Sequence, residues 1–159
     1  MSWNDLTPRW KDFFIKQLHI TASMSKDVNT KVGSLIIDTK NKVVVSSGFN
    51  DLPRGVKHTL ERNSRPLKYA YTVHSEQNSI YTALKLNRSV EGLTMIATLG
   101  CCTSCAAGIV QVGIKEFVCP TLDYNHYSCG ENYKHSVAIL SEGGVELIQD
   151  DSLVLGVVS

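Results

Sequence analysis

Apolar residues recur along this chain with two different periods. Trp10, Phe13, Phe14 and Leu18 fall at helical spacing and predict an amphipathic helix running to about Met24. Thr7 is placed to be its N-cap, with Pro8 at the first helical position. Two β-type runs follow at 32–38 and 43–49, and Asn41 between them marks the turn of a hairpin. Residues 50–71 have no clear period and contain Pro53, Gly55 and Pro66. They predict a long ordered loop, which in a small domain is usually functional or interfacial. Beyond it, 75–87 reads as a helix with Ile80, Ala83 and Leu84 on one face. A strand at 93–99, a helix at 102–112, a strand at 114–119, a helix at 131–142 and a short strand at 145–148 complete the pattern. Alternation in the second half implies parallel crossovers, so the expected fold is α/β: a three-layer α/β/α sandwich around a mixed five-stranded sheet. No repeat, linker or low-complexity segment interrupts the 159 residues, which read as a single domain.

Composition narrows the function classes. A net charge of +1 removes any global drive toward nucleic acid or membrane. No apolar stretch approaches membrane-spanning length, and the first residues, Met1 to Asp5, lack the features of a signal peptide. Five cysteines, two of them in a CxxC, fit metal-bound thiolates in a reducing compartment better than a disulfide framework. A cytoplasmic location is expected.

The chemistry concentrates in two short segments, His74-Ser75-Glu76 and Cys102-Thr103-Ser104-Cys105. Both are predicted to open helices. His74, Cys102 and Cys105 supply three zinc-type ligands, which leaves the fourth tetrahedral position for water. A helix N-terminus favours thiolate over thiol. Zinc in such a site lowers the pKa of water toward about 7, making hydroxide available to attack a carbon bearing an exocyclic amine. Glu76, two residues beyond His74, is placed to carry protons rather than to bind the metal. The bland alternative is a closed structural zinc with a fourth ligand from Cys101, Cys119, Cys129, His126 or His135. The HxE at a helix start upstream of the CxxC favours the catalytic form.

The surrounding residues give this pattern a family. Residues 25–33 (SKDVNTKVG), 48–55 (GFNDLPRG, a GxNxxPxG loop), Lys68-Tyr69 leading into 72–80 (TVHSEQNSI), and 98–106 (TLGCCTSCA) resemble the zinc-dependent cytidine and deoxycytidylate deaminases. The likeness is greatest to deoxycytidylate (dCMP) deaminases of bacterial and phage type and covers about residues 20 to 120. It implies one catalytic zinc per chain and hydrolysis of dCMP to dUMP and ammonia, supplying dUMP for dTMP synthesis. It also implies a homo-oligomer, with a hexamer favoured over a dimer or trimer, and dCTP and dTTP as effectors. The family's proline before the first zinc cysteine is Cys101 here, and its alanine between His and Glu is Ser75. Cys101 is expected to pack as a small buried thiol. The loop that carries a second, structural zinc in some relatives has here one histidine, His58, and no cysteine. Deamination of a base in nucleic acid, as by tRNA adenosine deaminases, is the alternative activity, together with a preference for dCTP or a 5-modified dCMP.

Substrate contacts follow from the same resemblance. Asn50 is the candidate for the sugar hydroxyl. Lys26 is the leading candidate for the phosphate, ahead of Lys31 and Arg54. Thr98 and Leu99, at the end of a strand beside the zinc helix, are placed to offer backbone groups to the base edge. Tyr124, with Tyr127 and Tyr133 nearby, is a candidate to stack on the cytosine, core or interface packing being an equal alternative. Arg54, Lys57, Arg62, Arg65 and Lys68 face a single acid, Glu61, across the long loop. Together they make a loop able to attract a phosphate or triphosphate, as at a regulatory site; for each of them singly, a solvated surface position is the expectation.

Overall fold

The structure, a computed structural model, describes residues 1–155. After a 3-10 turn at Trp3–Asp5, α1 (Pro8–Ser23) leads into β1 (Gly33–Asp38) and β2 (Val43–Phe49). The long segment that follows contains one short helix, α2 (Lys68–Tyr71), and ends at α3 (Ser75–Lys85). Then come β3 (Thr94–Ala97), α4 (Thr103–Gln111), β4 (Glu116–Cys119), α5 (Gly130–Glu142), β5 (Glu146–Gln149) and a 3-10 turn at Asp151–Leu153. The five strands form one mixed sheet in the order β2-β1-β3-β4-β5. β1 is antiparallel to both β2 and β3, and the β3–β4 and β4–β5 pairs are parallel.

Strand alternation divides the core between two faces. Leu35, Ile37, Ile96, Val118 and Ile148 point to one side, where Trp3, Phe14, Leu18 and Leu153 cover them. Ile36, Met95, Ala97, Phe117 and Cys119 point to the other, under Ala83 of α3, Ala106 and Ile109 of α4, and Leu140 of α5. The expected α/β/α layering is therefore present, with α1 and the two 3-10 turns on one face and α3, α4 and α5 on the other. Among the described residues no helix is long and apolar enough to cross a membrane.

Three local features go beyond the sequence pattern or against it. The first six residues carry no period, yet they fold onto the core through fully buried Trp3. Its amide donates to Glu116 Oε2 at 3.1 Å and its indole N–H to Asp150 Oδ2 at 2.9 Å. The segment predicted as a loop over 50–71 contains the single turn of α2, too short for a hydrophobic period to register. Leu84, expected on the packed face of α3, is 72% exposed. That helix buries Ser75, Glu76, Ser79 and Ala83 instead, so the stripe facing the sheet is largely polar and does not stand out as apolar periodicity.

The polar stripe is a seam. Ser34 Oγ donates to the Ser75 carbonyl at 2.7 Å, and Ser46 Oγ to the Ser79 carbonyl at 2.8 Å. Ser79 Oγ closes the turn on the Glu76 carbonyl at 2.8 Å. β2 comes this near to α3 because Gly48 lacks a side chain: a methyl group there would overlap the Ser75 carbonyl oxygen and the Ser79 amide nitrogen, both backbone atoms. Gly48→Ala is expected to lower stability by about 1–3 kcal/mol, read as a fall in the urea midpoint at unchanged slope.

Candidate active site

α3 and α4 present their N-termini to a common point. His74 is the N-cap of α3 and Cys102 the N-cap of α4, both with extended backbone. The chain enters α3 through a two-residue bridge, in which Val73 donates to the Asp51 carbonyl at 2.8 Å and Asp51 to the Val73 carbonyl at 3.2 Å. Asn78 Nδ2 adds a bond to the Phe49 carbonyl at 2.8 Å. α4 is fixed from α5, where Asn132 Oδ1 accepts the Thr103 amide at 3.2 Å.

The three predicted ligands converge. His74 Nδ1 lies 3.4 Å from Cys102 Sγ and 3.4 Å from Cys105 Sγ, and all three atoms fall within 4.8 Å of one another. A tetrahedral zinc with Zn–N of about 2.0–2.1 Å and Zn–S of about 2.3 Å separates nitrogen from sulfur by about 3.6 Å. The donor set and its spacing fit that ion. Hydrogen bonds from Cys105 and then His74 outweigh burial and hold the Cys102 thiol at about 4, a thiolate at neutral pH. The neighbouring Cys102 sulfur, then burial, push Cys105 in the opposite direction. The Cys102 hydrogen bond raises His74 against the opposing effect of burial.

Glu76 sits in the first turn of α3, 4% exposed. Burial pushes its carboxyl above the ordinary range. Ser75 Oγ, where the family pattern has a methyl group, donates to Glu76 Oε2 at 3.3 Å. Cys101 is 3% exposed within the core; burial drives its thiol upward. It stands apart from the cluster of His74, Cys102 and Cys105, as expected for a small buried thiol.

His74, Glu76 and Cys102 line a cavity of about 500 Å³. The structure brings Asn50 and Leu99 to this cavity. Asn50 is largely committed: Oδ1 accepts the Val32 amide and Nδ2 donates to the Thr30 carbonyl, each at 2.8 Å. One amide hydrogen is left for a ligand. Thr98 is buried behind the wall, its Oγ1 accepting the Gly33 amide at 3.1 Å and its own amide bonded to the Gly33 carbonyl at 3.1 Å. Lys26 and Tyr124 do not line the cavity; Asp27 does, as do Tyr127 and Tyr133. Burial, then a hydrogen bond with Cys129, pushes the Tyr133 phenol upward.

Two further basic residues line the cavity, both from the loop whose members singly resemble solvated surface positions. Lys68 is 6% exposed, with Nζ 3.1 Å from both Asp27 carboxylate oxygens and 3.4 Å from Asn29 Oδ1. Arg65 lines the same wall. The sequence signal was Lys68-Tyr69 inside the family pattern, which distinguishes Lys68 from the other basic residues of that loop.

Facing helix ends that carry one imidazole and two thiols beside a buried carboxyl have the donor set of a metal-dependent hydrolase. The chain belongs to the cytidine and deoxycytidylate deaminase family, whose zinc-binding region matches residues 8–121. It is 36% identical over 140 residues to a deaminase of Aliivibrio fischeri, covering 87% of this chain and 92% of that one. It is 35% identical over 116 residues to the deoxycytidylate deaminase of Homo sapiens. That match covers 69% of this chain and spans 63% of the human protein's length. Among solved structures, the dCMP deaminase of cyanophage S-TIM5 in complex with dCMP and dUMP superposes with a TM-score of 0.74 at 24% identity, covering 91% of this chain and 99% of that one. A tRNA:A34 deaminase superposes with a TM-score of 0.57 at 17% identity, over 88% of this chain and 98% of that one. At these identities the structural likeness is one of fold.

Proposed function

We propose that the chain is a dCMP deaminase, converting dCMP and water to dUMP and ammonia, with one zinc held by His74, Cys102 and Cys105. The observation that carries this reading is the convergence of those three ligand atoms, at spacings that fit tetrahedral zinc, beside the cavity that His74, Cys102 and the buried Glu76 line. The family and its deoxycytidylate deaminase members support it. Zinc, when bound, supplies the Lewis acidity that makes water a nucleophile at neutral pH.

Glu76 does the proton work. Its carboxylate accepts a proton from the attacking water and delivers it to the ring nitrogen beside the carbon under attack. It then takes the proton of the new hydroxyl on that carbon and passes it to the amine, which departs as ammonia while the carbonyl forms. A carboxyl whose pKa is raised by burial suits both halves of that task, since it takes up and releases a proton closer to the operating pH. Asn50 offers its remaining amide hydrogen to the sugar, and Leu99, Tyr127 and Tyr133 give the base apolar and aromatic walls.

The test is ammonia release by the zinc-loaded protein from dCMP, dCTP, deoxycytidine and a tRNA hairpin. Turnover of dCMP is the expected result. Turnover of the hairpin alone would overturn the reading in favour of nucleic-acid deamination.

A further inference from the structure

We infer that Arg65, oriented by Tyr69, is the residue that reads the phosphate of the substrate. The inference rests on the proposed reading of the chain as a nucleotide deaminase and deepens it, because it names what separates a nucleotide from a nucleoside in this cavity. Lys26, the candidate expected from sequence, stands outside the cavity wall. Of the lysines and arginines that line the cavity, Lys68 is already spent on Asp27 and Asn29. Arg65 is the other, and among the described residues it has no carboxylate partner within 4.0 Å.

Its geometry suits an anion. Arg65 Nε donates to the Tyr69 hydroxyl at 2.8 Å. That bond uses the inner edge of the guanidinium and leaves both terminal amino groups free, a planar fork matched to two phosphate oxygens. The support is itself anchored. Tyr69 lies on α2 next to Lys68, whose ammonium sits 5.7 Å from the Tyr69 ring centroid and holds the helix to Asp27. An exposed arginine normally loses rotamer freedom when it binds; here part of that ordering is already in place. The charge of the wall bears on the number of phosphates. Asp123 also lines the cavity, so the wall holds one unpaired guanidinium and an added carboxylate. This balance favours a monophosphate over a triphosphate.

The experiment compares the zinc-loaded 159-residue chain with Arg65→Ala, Arg65→Lys and Tyr69→Phe. Steady-state ammonia release is measured on dCMP and on deoxycytidine. Binding of dUMP and of deoxyuridine is measured by calorimetry. Arg65→Ala should lower the ratio of kcat/KM for dCMP to that for deoxycytidine at least tenfold, chiefly through KM for dCMP. Arg65→Lys, which keeps the charge without the fork, should recover part of that ratio. Tyr69→Phe should shift it in the same direction by a few-fold. An unchanged ratio in Arg65→Ala, or an equal loss on both substrates, overturns the inference. If the wild-type protein deaminates neither compound, the proposed function fails, and calorimetry then decides this point separately. A dUMP affinity at least tenfold weaker in Arg65→Ala, relative to deoxyuridine, upholds Arg65 as the phosphate residue. Equal dUMP affinity in the two proteins, or no binding of dUMP by the wild type, overturns it.

Discussion

Glu76→Gln is expected to keep its zinc and to lose kcat by about 10²–10⁴-fold, the range spanned by removal of a positioned general acid–base. The substitution replaces one oxygen by an amide nitrogen at a side chain that is 4% exposed, so the shape of the cavity is preserved. The ligand atoms of His74, Cys102 and Cys105 are untouched. Metal content by mass spectrometry and ammonia release, measured on one preparation, separate the two properties. A zinc-binding module without catalytic work would keep its zinc and release no ammonia in either form.

The same substitution bears on pH. Burial raises the folded-state pKa of Glu76 above that of an ordinary carboxyl. As the base for the attacking water it must be ionised, so kcat/KM should fall on the acid side as Glu76 takes up its proton, and Glu76→Gln should abolish that limb. The stability sign is opposite to that of a paired carboxylate: where the folded pKa is raised, the native state binds more protons than the unfolded one, and stability falls as pH rises through the interval between the two values. Glutamine does not ionise and carries no such penalty. Glu76→Gln should therefore unfold at a urea midpoint equal to or above that of the wild type at pH 7, while losing turnover. Such a pairing, with function lost and stability kept, marks a strained catalytic group.

The cluster of His74, Cys102 and Cys105 was legible in sequence because metal-ligand chemistry depends on residue type and local spacing. His74 at one helix start and Cys102 with Cys105 at another fix three donors within two short segments, and the fold has only to bring the two helix ends together. The layered fold was legible for a related reason: Leu35 and Ile37 against Ile36, and Ile96 against Met95 and Ala97, sort themselves by strand alternation. The polar seam under α3 was not legible. Ser34, Ser46, Ser75 and Ser79 are scattered through 46 positions and carry no periodic apolar signal, yet with Gly48 they set where Glu76 stands. The cavity wall was hidden for another reason. Lys26 and Asp27 are neighbours in sequence, but the chain turns one outward and buries the other. Arg65 and Lys68 looked like the rest of a basic loop until tertiary contacts gave Lys68 a buried carboxylate and Arg65 a tyrosine hydroxyl.

Lys68→Met is expected to destabilise the fold by about 3 kcal/mol, the lower end of the range for breaking a buried ion pair by removing one partner. Methionine keeps most of the stem's bulk and removes the ammonium. Asp27 is then left with its carboxylate buried beside the 25–31 segment, retaining the amide hydrogen bonds from Asn29 at 2.8 Å and Thr30 at 2.9 Å. Those two bonds are the reason for the lower end of the range. The pH dependence identifies the cause. Burial pushes the Asp27 carboxyl up, but the Thr30 and Asn29 amides and the Lys68 ammonium outweigh it and hold its pKa below 3.8. A depressed folded pKa contributes stability that is present above the unfolded value of about 3.9 and is lost as pH falls through the folded value. The gap between wild type and Lys68→Met should therefore be full at pH 7 and shrink below about pH 4, as protonation of Asp27 removes the charge that the lysine answers. Urea unfolding at a series of pH values measures it. A gap independent of pH would mean that the lysine stem, and not its charge, holds α2 to the 25–31 segment. In that case Asp27→Asn in the Lys68→Met background would restore nothing. With the charge as the cause, that second substitution should recover part of the lost stability by removing the stranded carboxylate, returning α2 and Tyr69 to the wall that orients Arg65.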